Sequence, residues 1–440
     1  MGRRRSHTPL NVFLNTRRVG VLSRDKSGAT KFSYDPLWLD WEHALPVSIS
    51  LPLREDTFTG AQVMSVFDNL LPDYEPIRRR VAERVGAQGT DAFSLLSEIG
   101  RDCIGALQFL PAGQEPSPTD QLGGRILSEA DIADLLRHLD VSPLGIRSDV
   151  DFRISIAGAQ EKTALLQLDN DWLEPSGTTP TTHIIKPQIG RLANGMDLSH
   201  SVENEYLCLK LMAGFGLKTA EARIMEFEET TALVITRFDR HWTPDGRLIR
   251  LPQEDCCQAL SVPPTLKYQN EGGPGIVEVM DLLRGSDEPN RDRHDFFKSQ
   301  ILFWLIGATD GHAKNFSLAL TSQGRFRMTP LYDVLTLQEA FDNRQLTHKD
   351  FKLAMRVGTS NQYNIERIRG RHFIDSGILA GLSRTTILQV FDEIRSTAAT
   401  AIQEVFDALP PGFPQTLTES VSAAVDRRLE LLVPHRVTTR

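Results

Sequence analysis

The stretch Asp310-Gly-His-Ala-Lys-Asn315 decides how this chain is interpreted, together with Asp333, which follows eighteen residues after Asn315. The spacing from Asp310 to Asn315 equals that between the base and the metal-binding Asn of the motif H-R-D-x-x-x-x-N. In phosphoryl transfer one carboxylate accepts the proton of an attacking hydroxyl, while an Asn and a second Asp hold magnesium between the phosphates. The spacing alone is a weak signal, because Asp and Asn also favour ordinary turns, where they cap local backbone.

The sequence around this stretch predicts how its side chains meet. The apolar run from Phe296 to Ile306 predicts a buried helix, and Gly307 stands where a helix often ends. Alternating apolar residues on both sides of the turn 321–324 predict a β-hairpin. Its antiparallel strands would bring the residue before the hairpin, Asn315, close to the residue after it, Asp333.

A candidate phosphate-binding lysine lies upstream in Thr182-His-Ile-Ile-Lys-Pro187, where Lys186 ends a β-branched strand. The alternative is a lysine that points into water from an edge strand. A helix is predicted from Ser201, with that serine as its N-cap. Either Glu203 or Glu205 on this helix could form an ion pair with Lys186, and we prefer Glu205.

The loop Ser155-Ile-Ala-Gly-Ala-Gln-Glu-Lys-Thr163 precedes this lysine, at the position of a phosphate-covering loop. It is not a Walker A motif, because Glu161 stands where that motif needs Gly, and it lacks the three glycines of G-x-G-x-x-G. Small residues at 157–159 would still let backbone N–H groups approach phosphate oxygens. A tight hairpin loop without a ligand is the alternative.

Together these segments resemble the HipA family of serine/threonine kinases, which are toxins of bacterial toxin–antitoxin pairs. The resemblance runs essentially end to end. The matching strings are Ser-Ile-Ala-Gly-Ala-Gln-Glu-Lys-Thr (155–163), His-Ile-Ile-Lys-Pro (183–187), Asn-Glu-Tyr (204–206), Arg-Phe-Asp-Arg (237–240), Gly-Ala-Thr-Asp-Gly-His-Ala-Lys-Asn (307–315) and Tyr-Asp (332–333), with Phe-Asp-Asn-Leu-Leu-Pro-Asp (67–73) and Leu-Leu-Ser-Glu-Ile-Gly-Arg-Asp (95–102) before them.

The resemblance implies a role for each matching residue. Asp310 is the catalytic base, Asn315 and Asp333 are the magnesium ligands, and Lys186 binds phosphate. Ser155 matches a serine whose autophosphorylation displaces the loop from the nucleotide site and silences the enzyme. A phosphoserine adds about 1.5 to 2 negative charges, which ATP phosphates would repel. The residues expected to contact ATP are Ala157, Gly158, Ala159, Gln160, Lys162, Lys186, Thr236, Phe238, His312, Lys314, Asn315 and Asp333.

One residue departs from the family pattern. The segment Val234-Ile-Thr-Arg-Phe-Asp-Arg240 resembles the hinge of the family, where Glu is expected in place of Thr236. Adenine is usually recognised there through backbone groups, so the change need not abolish binding. The local adenine contact stays open.

The partners implied by the resemblance are a helix-turn-helix antitoxin similar to HipB, operator DNA bound through or beside it, and a protein substrate. That substrate would be a translation component such as an aminoacyl-tRNA synthetase, for example glutamyl-tRNA synthetase, and the outcome would be growth arrest and persistence. Two alternatives stay open. One is an antitoxin-docked transcriptional corepressor with little kinase activity, and the other is a small-molecule phosphotransferase, because such folds share the Asp-Asn-Asp triad.

The sequence pattern predicts an α/β (α+β) chain with a two-lobed kinase-like fold. We expect a β-rich N-terminal module at 1–112, a linker at 113–127, a nucleotide-binding β-sheet lobe at 128–250 and a mostly α-helical catalytic lobe at 251–440. Ser128 with Asp131 predicts a capped helix start at the beginning of the β-sheet lobe. With 440 residues, 40% of them hydrophobic, the chain can bury a core in each lobe.

The net charge of −8 argues against a broadly basic nucleic-acid binder, although local basic clusters are possible contacts. Four cysteines without a C-x-x-C pair predict neither a disulfide framework nor a zinc site, which favours a reducing cytoplasm. No apolar run has the length of a transmembrane helix and the N-terminus lacks a secretory apolar segment, so no membrane partner is expected.

Overall fold

The computed structural model of the chain describes residues 7–146, 154–158 and 160–432. The chain divides into two compact units. Unit 1 contains the chain up to Pro187, Glu221–Thr265 and Ser317–Phe326. Unit 2 contains Gln188–Ala220, Leu266–Phe316 and the chain from Arg327 onward. Each unit is therefore assembled from segments that are far apart in sequence.

The first half of the chain alternates short strands and helices. In chain order the elements are β1 (Leu10–Leu14), β2 (Arg17–Arg24), β3 (Thr30–Tyr34), α1 (Pro36–Leu39), β4 (Phe58–Thr59), α2 (Ala61–Asp68), α3 (Glu75–Val85), α4 (Ala92–Ile99), β5 (Leu107–Pro111), β6 (Gly124–Leu127), α5 (Glu129–Arg137), β7 (Thr163–Leu168), β8 (Asp171–Pro175), β9 (His183–Pro187), β10 (Gly190–Arg191), β11 (Asp197–Leu198) and α6 (Ser201–Gly214).

The second half continues with strands and then becomes mostly helical. Its elements are β12 (Ala222–Phe227), β13 (Thr230–Thr236), β14 (Arg240–Trp242), β15 (Leu248–Arg250), β16 (Gln253–Asp255), α7 (Cys256–Ala259), α8 (Ile276–Leu282), α9 (Pro289–Ile306), β17 (Ser317–Thr321), β18 (Arg325–Met328), α10 (Gln338–Asp342), β19 (Lys352–Val357), β20 (Gln362–Asn364), α11 (Gly370–Leu379), α12 (Arg384–Asp407) and α13 (Gln415–Leu432).

A five-stranded antiparallel sheet in the order β4-β3-β2-β1-β5 opens unit 1. Its inner face packs on aromatic side chains of the neighbouring helices, as where the rings of Phe32 and Phe67 lie 5.5 Å apart between centroids. Burial of such side chains is the main favourable term in folding. Four helices, α1 to α4, lie between β3 and β5 along the chain, so the module predicted as β-rich is a mixture of strands and helices.

Unit 1 also contains a six-stranded sheet in the order β12-β13-β9-β7-β8-β6. Helix α5 packs Ile132 and Leu136 into its core, beside Trp172 and Phe227. The predicted capping box at the start of α5 is confirmed, since Ser128 and Asp131 bond each other's backbone N–H groups. Strand β6 lies inside the range predicted as linker, and that part of the prediction is wrong because β6 pairs with β8 at the sheet edge.

Unit 2 is built around α9, in which every residue from Phe296 to Ile306 is buried. The predicted helix end is confirmed: Gly307 follows in the left-handed conformation with φ 75°. The predicted N-cap of α6 is wrong by one residue, because His200 is the N-cap and Ser201 is the first helical residue. The Ser201 hydroxyl instead accepts a hydrogen bond from the Ile189 N–H at 2.7 Å.

Within the described ranges, no helix combines the length and apolar character needed to cross a membrane. The four cysteines, Cys103, Cys208, Cys256 and Cys257, are buried and form no disulfide.

Candidate active site

The loop after α9 is closed by the backbone of Asp310. The Nδ2 of Asn315 donates to the Asp310 carbonyl at 2.7 Å, and the backbone N–H of His312 donates to the same oxygen at 2.8 Å. These two hydrogen bonds to the carbonyl close the loop. The Asp310 carboxylate takes no part in them, and 48% of the side chain is exposed. The arrangement turns the weak D-x-x-x-x-N spacing into a defined geometry. A half-exposed carboxylate suits a group that must meet a hydroxyl from outside.

The residue after Asp310 must be small. A Cβ added to Gly311 would lie 2.5 Å from the ring of Phe303, a buried residue of α9. Real Cβ atoms do not approach a ring that closely, so any other residue would push the loop off the helix. Close packing of Gly311 on α9 therefore fixes the distance between the helix and the backbone of Asp310.

Tyr268 contacts Asp310 and was missed by sequence reasoning. Its hydroxyl donates to Oδ1 of Asp310, and its ring meets the buried ring of His312 edge-on at 4.8 Å between centroids. The Nε2 of His312 lies 3.9 Å from Oδ2 of Asp310, beyond hydrogen-bond distance. Tyr268 precedes Asp310 by 42 residues, and no local spacing relates the two.

Asp333 follows the predicted hairpin, which β17 and β18 confirm. Two contacts fix the segment before Asp333. Leu331 forms a parallel β-bridge with Thr219, and the Tyr332 hydroxyl donates to the Lys314 carbonyl at 2.9 Å. On the C-terminal side Thr336 exchanges two hydrogen bonds of 2.8 Å with the Asn204 side chain. Between these anchors Asp333 adopts φ +57°, a left-handed conformation that few non-glycine residues adopt.

The residues at this loop fit an ATP-bound magnesium ion. Because the amide nitrogen of Asn315 bonds the Asp310 carbonyl, the atom left for a ligand is its Oδ1, a hard oxygen like those of Asp333. In the described part of the chain, no group of three or more His, Cys, Asp or Glu side chains could hold a metal ion. Magnesium on a nucleotide does not need one, since it keeps phosphate oxygens and waters and takes only one or two protein ligands.

The loop matched to phosphate covering lies in unit 1, where Ser155 is fully buried. Its hydroxyl donates to the Leu70 carbonyl at 2.7 Å, and its backbone N–H donates to the Asp102 carbonyl at 2.9 Å. Ala157 and Gln160 flank the turn and are half-buried, whereas Ala159 lies outside the described residues. In this conformation Ser155 is part of the core and cannot receive a phosphate.

Gly158 and Lys162 shape this loop. The Nζ of Lys162 donates to the Ala157 carbonyl at 2.7 Å, and the Gly158 carbonyl accepts from the Asp73 N–H at 3.2 Å. Gly158 has φ +110°, and a Cβ there would lie 2.5 Å from the Lys162 Nζ. The backbone conformation therefore favours glycine, and a side chain there would also displace the Lys162 ammonium from its present position.

Lys186 is not on an edge strand, so the alternative of a solvent-facing edge lysine is excluded. Strand β9 lies between β13 and β7, Lys186 is opposite Leu233, and the lysine is buried. Thr236 ends β13 opposite His183, and its backbone N–H donates to the Glu221 carbonyl at 2.8 Å. Phe238 follows in the turn after β13 and is half-buried.

The predicted site residues thus fall into two groups. Asp310, His312, Lys314, Asn315 and Asp333 lie in unit 2, with the last four buried or half-buried. The phosphate loop, Lys186 and the hinge lie in unit 1. The buried Glu205 of α6 belongs to unit 2, and its ion pair with Lys186 stays a prediction.

A buried ionic cluster beside the hinge was also missed. Arg237, Arg240 and Arg250 surround Asp102, at N–O distances of 3.4, 2.9 and 2.9 Å, and Asp239 binds Arg237 at 2.7 Å. Burial alone would raise the pKa of Asp102, but Arg240, Arg250 and Arg237 hold it well below its ordinary value. Burial, with Arg237 adjacent, lowers the pKa of Arg240 to about 10. The cluster fixes the backbone that leaves the predicted hinge.

Comparison with known proteins identifies the family of the chain. A HipA-like C-terminal domain model matches residues 154–402, and a HipA N-terminal domain model matches residues 10–110. The chain is 36% identical over 354 residues to the putative kinase Y4mE of Sinorhizobium fredii, covering 79% of this chain and 80% of that protein. It is 27% identical over 419 residues to the serine/threonine-protein kinase toxin HipA of Shewanella oneidensis, covering 91% and 90%.

A solved structure gives the same result for the fold. The chain matches Shewanella oneidensis HipA, determined in complex with HipB and its operator DNA, with a TM-score of 0.79 at 25% identity, covering 96% of both chains. The predicted mixed α/β fold is therefore confirmed. Both domain models match in chain order, and the C-terminal model alone covers more than half of the residues. The chain therefore belongs to the HipA family of serine/threonine kinases.

Proposed function

We propose that this kinase transfers the γ-phosphate of ATP, with magnesium, to a serine or threonine hydroxyl of a protein in the translation machinery. The observation that carries the proposal is the loop in which the Asn315 amide closes on the Asp310 carbonyl at 2.7 Å while the Asp310 carboxylate stays half-exposed. A loop built only to cap local backbone has no need to present this carboxylate.

Each residue of the proposed site then has a defined role. The Asp310 carboxylate takes the proton of the attacking hydroxyl, and the oxygens of Asn315 and Asp333 hold the metal. When bound, magnesium neutralises charge on the phosphates. Lys186, with the loop at 157–162, binds the phosphates. Because phosphoryl transfer depends mainly on position and charge, no covalent intermediate on the protein is needed.

The regulation that we propose starts from the burial of Ser155. Autophosphorylation would require its segment to leave the core, because the hydroxyl is fully buried against the Leu70 carbonyl. A phosphoserine could not return to that site, since a doubly charged group without donors is very costly to bury. The loop at 157–162 would stay displaced, and the nucleotide site would lack its phosphate-binding loop.

The proposed biological setting is supported by the resemblance to the family. A helix-turn-helix antitoxin would bind this chain, and operator DNA would be bound through or beside it, as HipB and operator DNA accompany the Shewanella oneidensis protein. An aminoacyl-tRNA synthetase, for example glutamyl-tRNA synthetase, is our proposed substrate, with growth arrest and persistence as the consequence. The four cysteines are buried and form no disulfide, which favours the cytoplasm.

The test is turnover of γ-labelled ATP with magnesium, with phosphosites mapped by mass spectrometry. Wild type should transfer labelled phosphate to serine or threonine hydroxyls of a protein. Asp310→Asn should lower the rate of this transfer by about 10²- to 10⁴-fold, the usual contribution of a general base. Asp281→Asn is the matched control, because that carboxylate is exposed and its partner Arg284 belongs to an i,i+3 surface pair.

Other outcomes separate the rival functions. Normal transfer by Asp310→Asn would remove the base assignment. Label that appears on small molecules and never on protein would favour a small-molecule phosphotransferase. ATP binding without any transfer by wild type, from a sample with unmodified Ser155, would favour the corepressor.

A further inference from the structure

The hydroxyl of Tyr268 binds the carboxylate that acts as the general base in the proposed chemistry. It donates to Oδ1 of Asp310, whereas Oδ2 lies 3.9 Å from the Nε2 of His312. One oxygen of the base therefore accepts a hydrogen bond from the phenol, whereas the other lies beyond hydrogen-bond distance of the imidazole. We propose that Tyr268 is a positioning residue, which holds the Asp310 carboxylate in the orientation that directs Oδ2 to the acceptor hydroxyl. The inference rests on the proposed kinase function.

The loop that carries Tyr268 is rigid enough for this task. The Tyr268 carbonyl accepts hydrogen bonds from the N–H groups of Glu271 and Gly273, both at 3.0 Å. The next side chain, Gln269, accepts from the Arg356 N–H at 2.7 Å and so ties the loop to β19. A Cβ on Gly273 would lie 2.0 Å from the Leu266 carbonyl, so the loop closes on itself without spare room. The phenol is presented by fixed backbone.

The aromatic ring is fixed as well. It lies edge-on against His312 with an interplanar angle of 82°, and His312 is itself buried in the loop that carries Asp310. Edge-to-face packing stabilises such a pair of rings beyond the burial of their apolar area. The tyrosine therefore contacts the loop of the base at two points, its ring at His312 and its hydroxyl at Asp310, which restricts movement of one relative to the other.

A carboxylate at this site needs such a restraint. With 48% of its side chain exposed, Asp310 could otherwise rotate among staggered conformers, and only some of them bring an oxygen within reach of a bound hydroxyl. A phenol can hold one oxygen without competing for the transferred proton, since its own pKa is ordinarily about 10. Asp310 remains the group that accepts the proton, and Tyr268 determines where its free oxygen points.

Two other roles for the hydroxyl make different predictions. It could merely satisfy its own hydrogen bond, in which case removing it would not change the rate. It could instead occupy the place of the acceptor hydroxyl and block it, in which case removing it would increase the rate. The exposure of Asp310 argues against blocking, because a blocking ring would cover the carboxylate.

The experiment is Tyr268→Phe, assayed for ATP-dependent transfer to protein. We expect kcat to fall by about tenfold to a hundredfold, the cost of a misplaced catalytic group, while KM for ATP stays within about twofold and Tm is unchanged. Tyr363→Phe is the matched control, because Tyr363 lies on β20 in the same unit and takes no part in the site. Its kcat should equal that of wild type.

A double-mutant cycle separates positioning from a structural role. In the Asp310→Asn background, Tyr268→Phe should lower the residual rate no further, because the hydroxyl acts only through that carboxylate. A Tyr268→Phe protein with wild-type or higher kcat would overturn the inference, as would a full additional loss in the double mutant. If wild type transfers no phosphate, the proposed function and this inference both fail, whereas an active wild type with an equally active Tyr268→Phe removes only the inference.

Discussion

Asp102 and Arg250, 148 residues apart in the chain, form a fully buried ion pair at 2.9 Å in unit 1. The guanidinium of Arg240 shares the same carboxylate oxygen at 2.9 Å. The helical module before Asp102 and the strands after the predicted hinge are thereby joined through a single carboxylate. The N-terminal domain thus contributes directly to the structure from which the hinge segment emerges.

Replacing this carboxylate should strongly destabilise unit 1. Asp102→Asn leaves three buried arginines with only Asp239 to compensate them, and breaking a buried ion pair in this way costs about 3–5 kcal/mol. Chemical denaturation followed by circular dichroism would measure the loss. The control is Asp245→Asn, whose partner Arg247 lies in an exposed turn, and it should change stability little. Equal stability of the two variants would contradict the central role of Asp102.

The metal assignment predicts a specific change in magnesium dependence. Asp333→Asn removes the one charged ligand of the proposed pair, so the magnesium concentration that gives half-maximal ATP turnover should rise about tenfold or more. A magnesium titration at fixed ATP would measure it, again with Asp281→Asn as the control. A lower rate at an unchanged magnesium midpoint would show that Asp333 acts in another way.

The burial of Ser155 predicts opposite behaviour for two substitutions. Ser155→Ala removes one hydrogen bond to the Leu70 carbonyl and should cost about 1 kcal/mol while leaving ATP binding intact. Ser155→Asp places a carboxylate against a carbonyl in a fully buried site, so the segment should leave the core and ATP affinity should fall. Calorimetric ATP titration and hydrogen exchange across 154–163 would detect both effects. Wild-type affinity in Ser155→Asp would rule out the proposed silencing.

The parts of the site that sequence predicted are those built from near neighbours. Gly307, the D-x-x-x-x-N loop and the hairpin before Asp333 follow from local helix, turn and strand patterns, and the structure contains each of them. The Ser128 capping box was predictable for the same reason. Such features depend on residues within one turn of backbone, where spacing alone constrains geometry.

The missed features depend on distant partners. Tyr268 reaches Asp310 across 42 residues, and the arginines reach Asp102 across 135 to 148 residues, so no periodicity reports them. Buried charges also contradict the expectation that charged side chains lie on the surface. Local sequence does not reveal strand β6, because its pairing partner β8 comes about fifty residues later. Ser201 does not cap α6, because its hydroxyl accepts a hydrogen bond from the Ile189 N–H.

A buried acid in unit 1 predicts a loss of stability with rising pH. Burial raises the pKa of Glu254 from its ordinary 4.5 to about 8, and only the Ile49 N–H, at 2.8 Å, and Ser48 oppose this rise. Its Oε2 is buried without a hydrogen-bond partner in the described structure. The folded protein therefore keeps a proton on Glu254 that the unfolded chain releases.

The sign of the effect follows from proton binding. Below about pH 4.5 both states hold the proton, and above about pH 8 neither does, so Glu254 contributes no pH dependence at either extreme. Between these values the folded state binds more protons, so the free energy of unfolding falls as pH rises, by at most about 1.4 kcal/mol per pH unit. Glu254→Gln keeps an oxygen for the Ile49 N–H and cannot ionise. Unfolding free energies of wild type and Glu254→Gln, measured from pH 5 to pH 8, should therefore diverge in favour of the variant, whereas parallel curves would mean that Glu254 is already ionised in the folded protein.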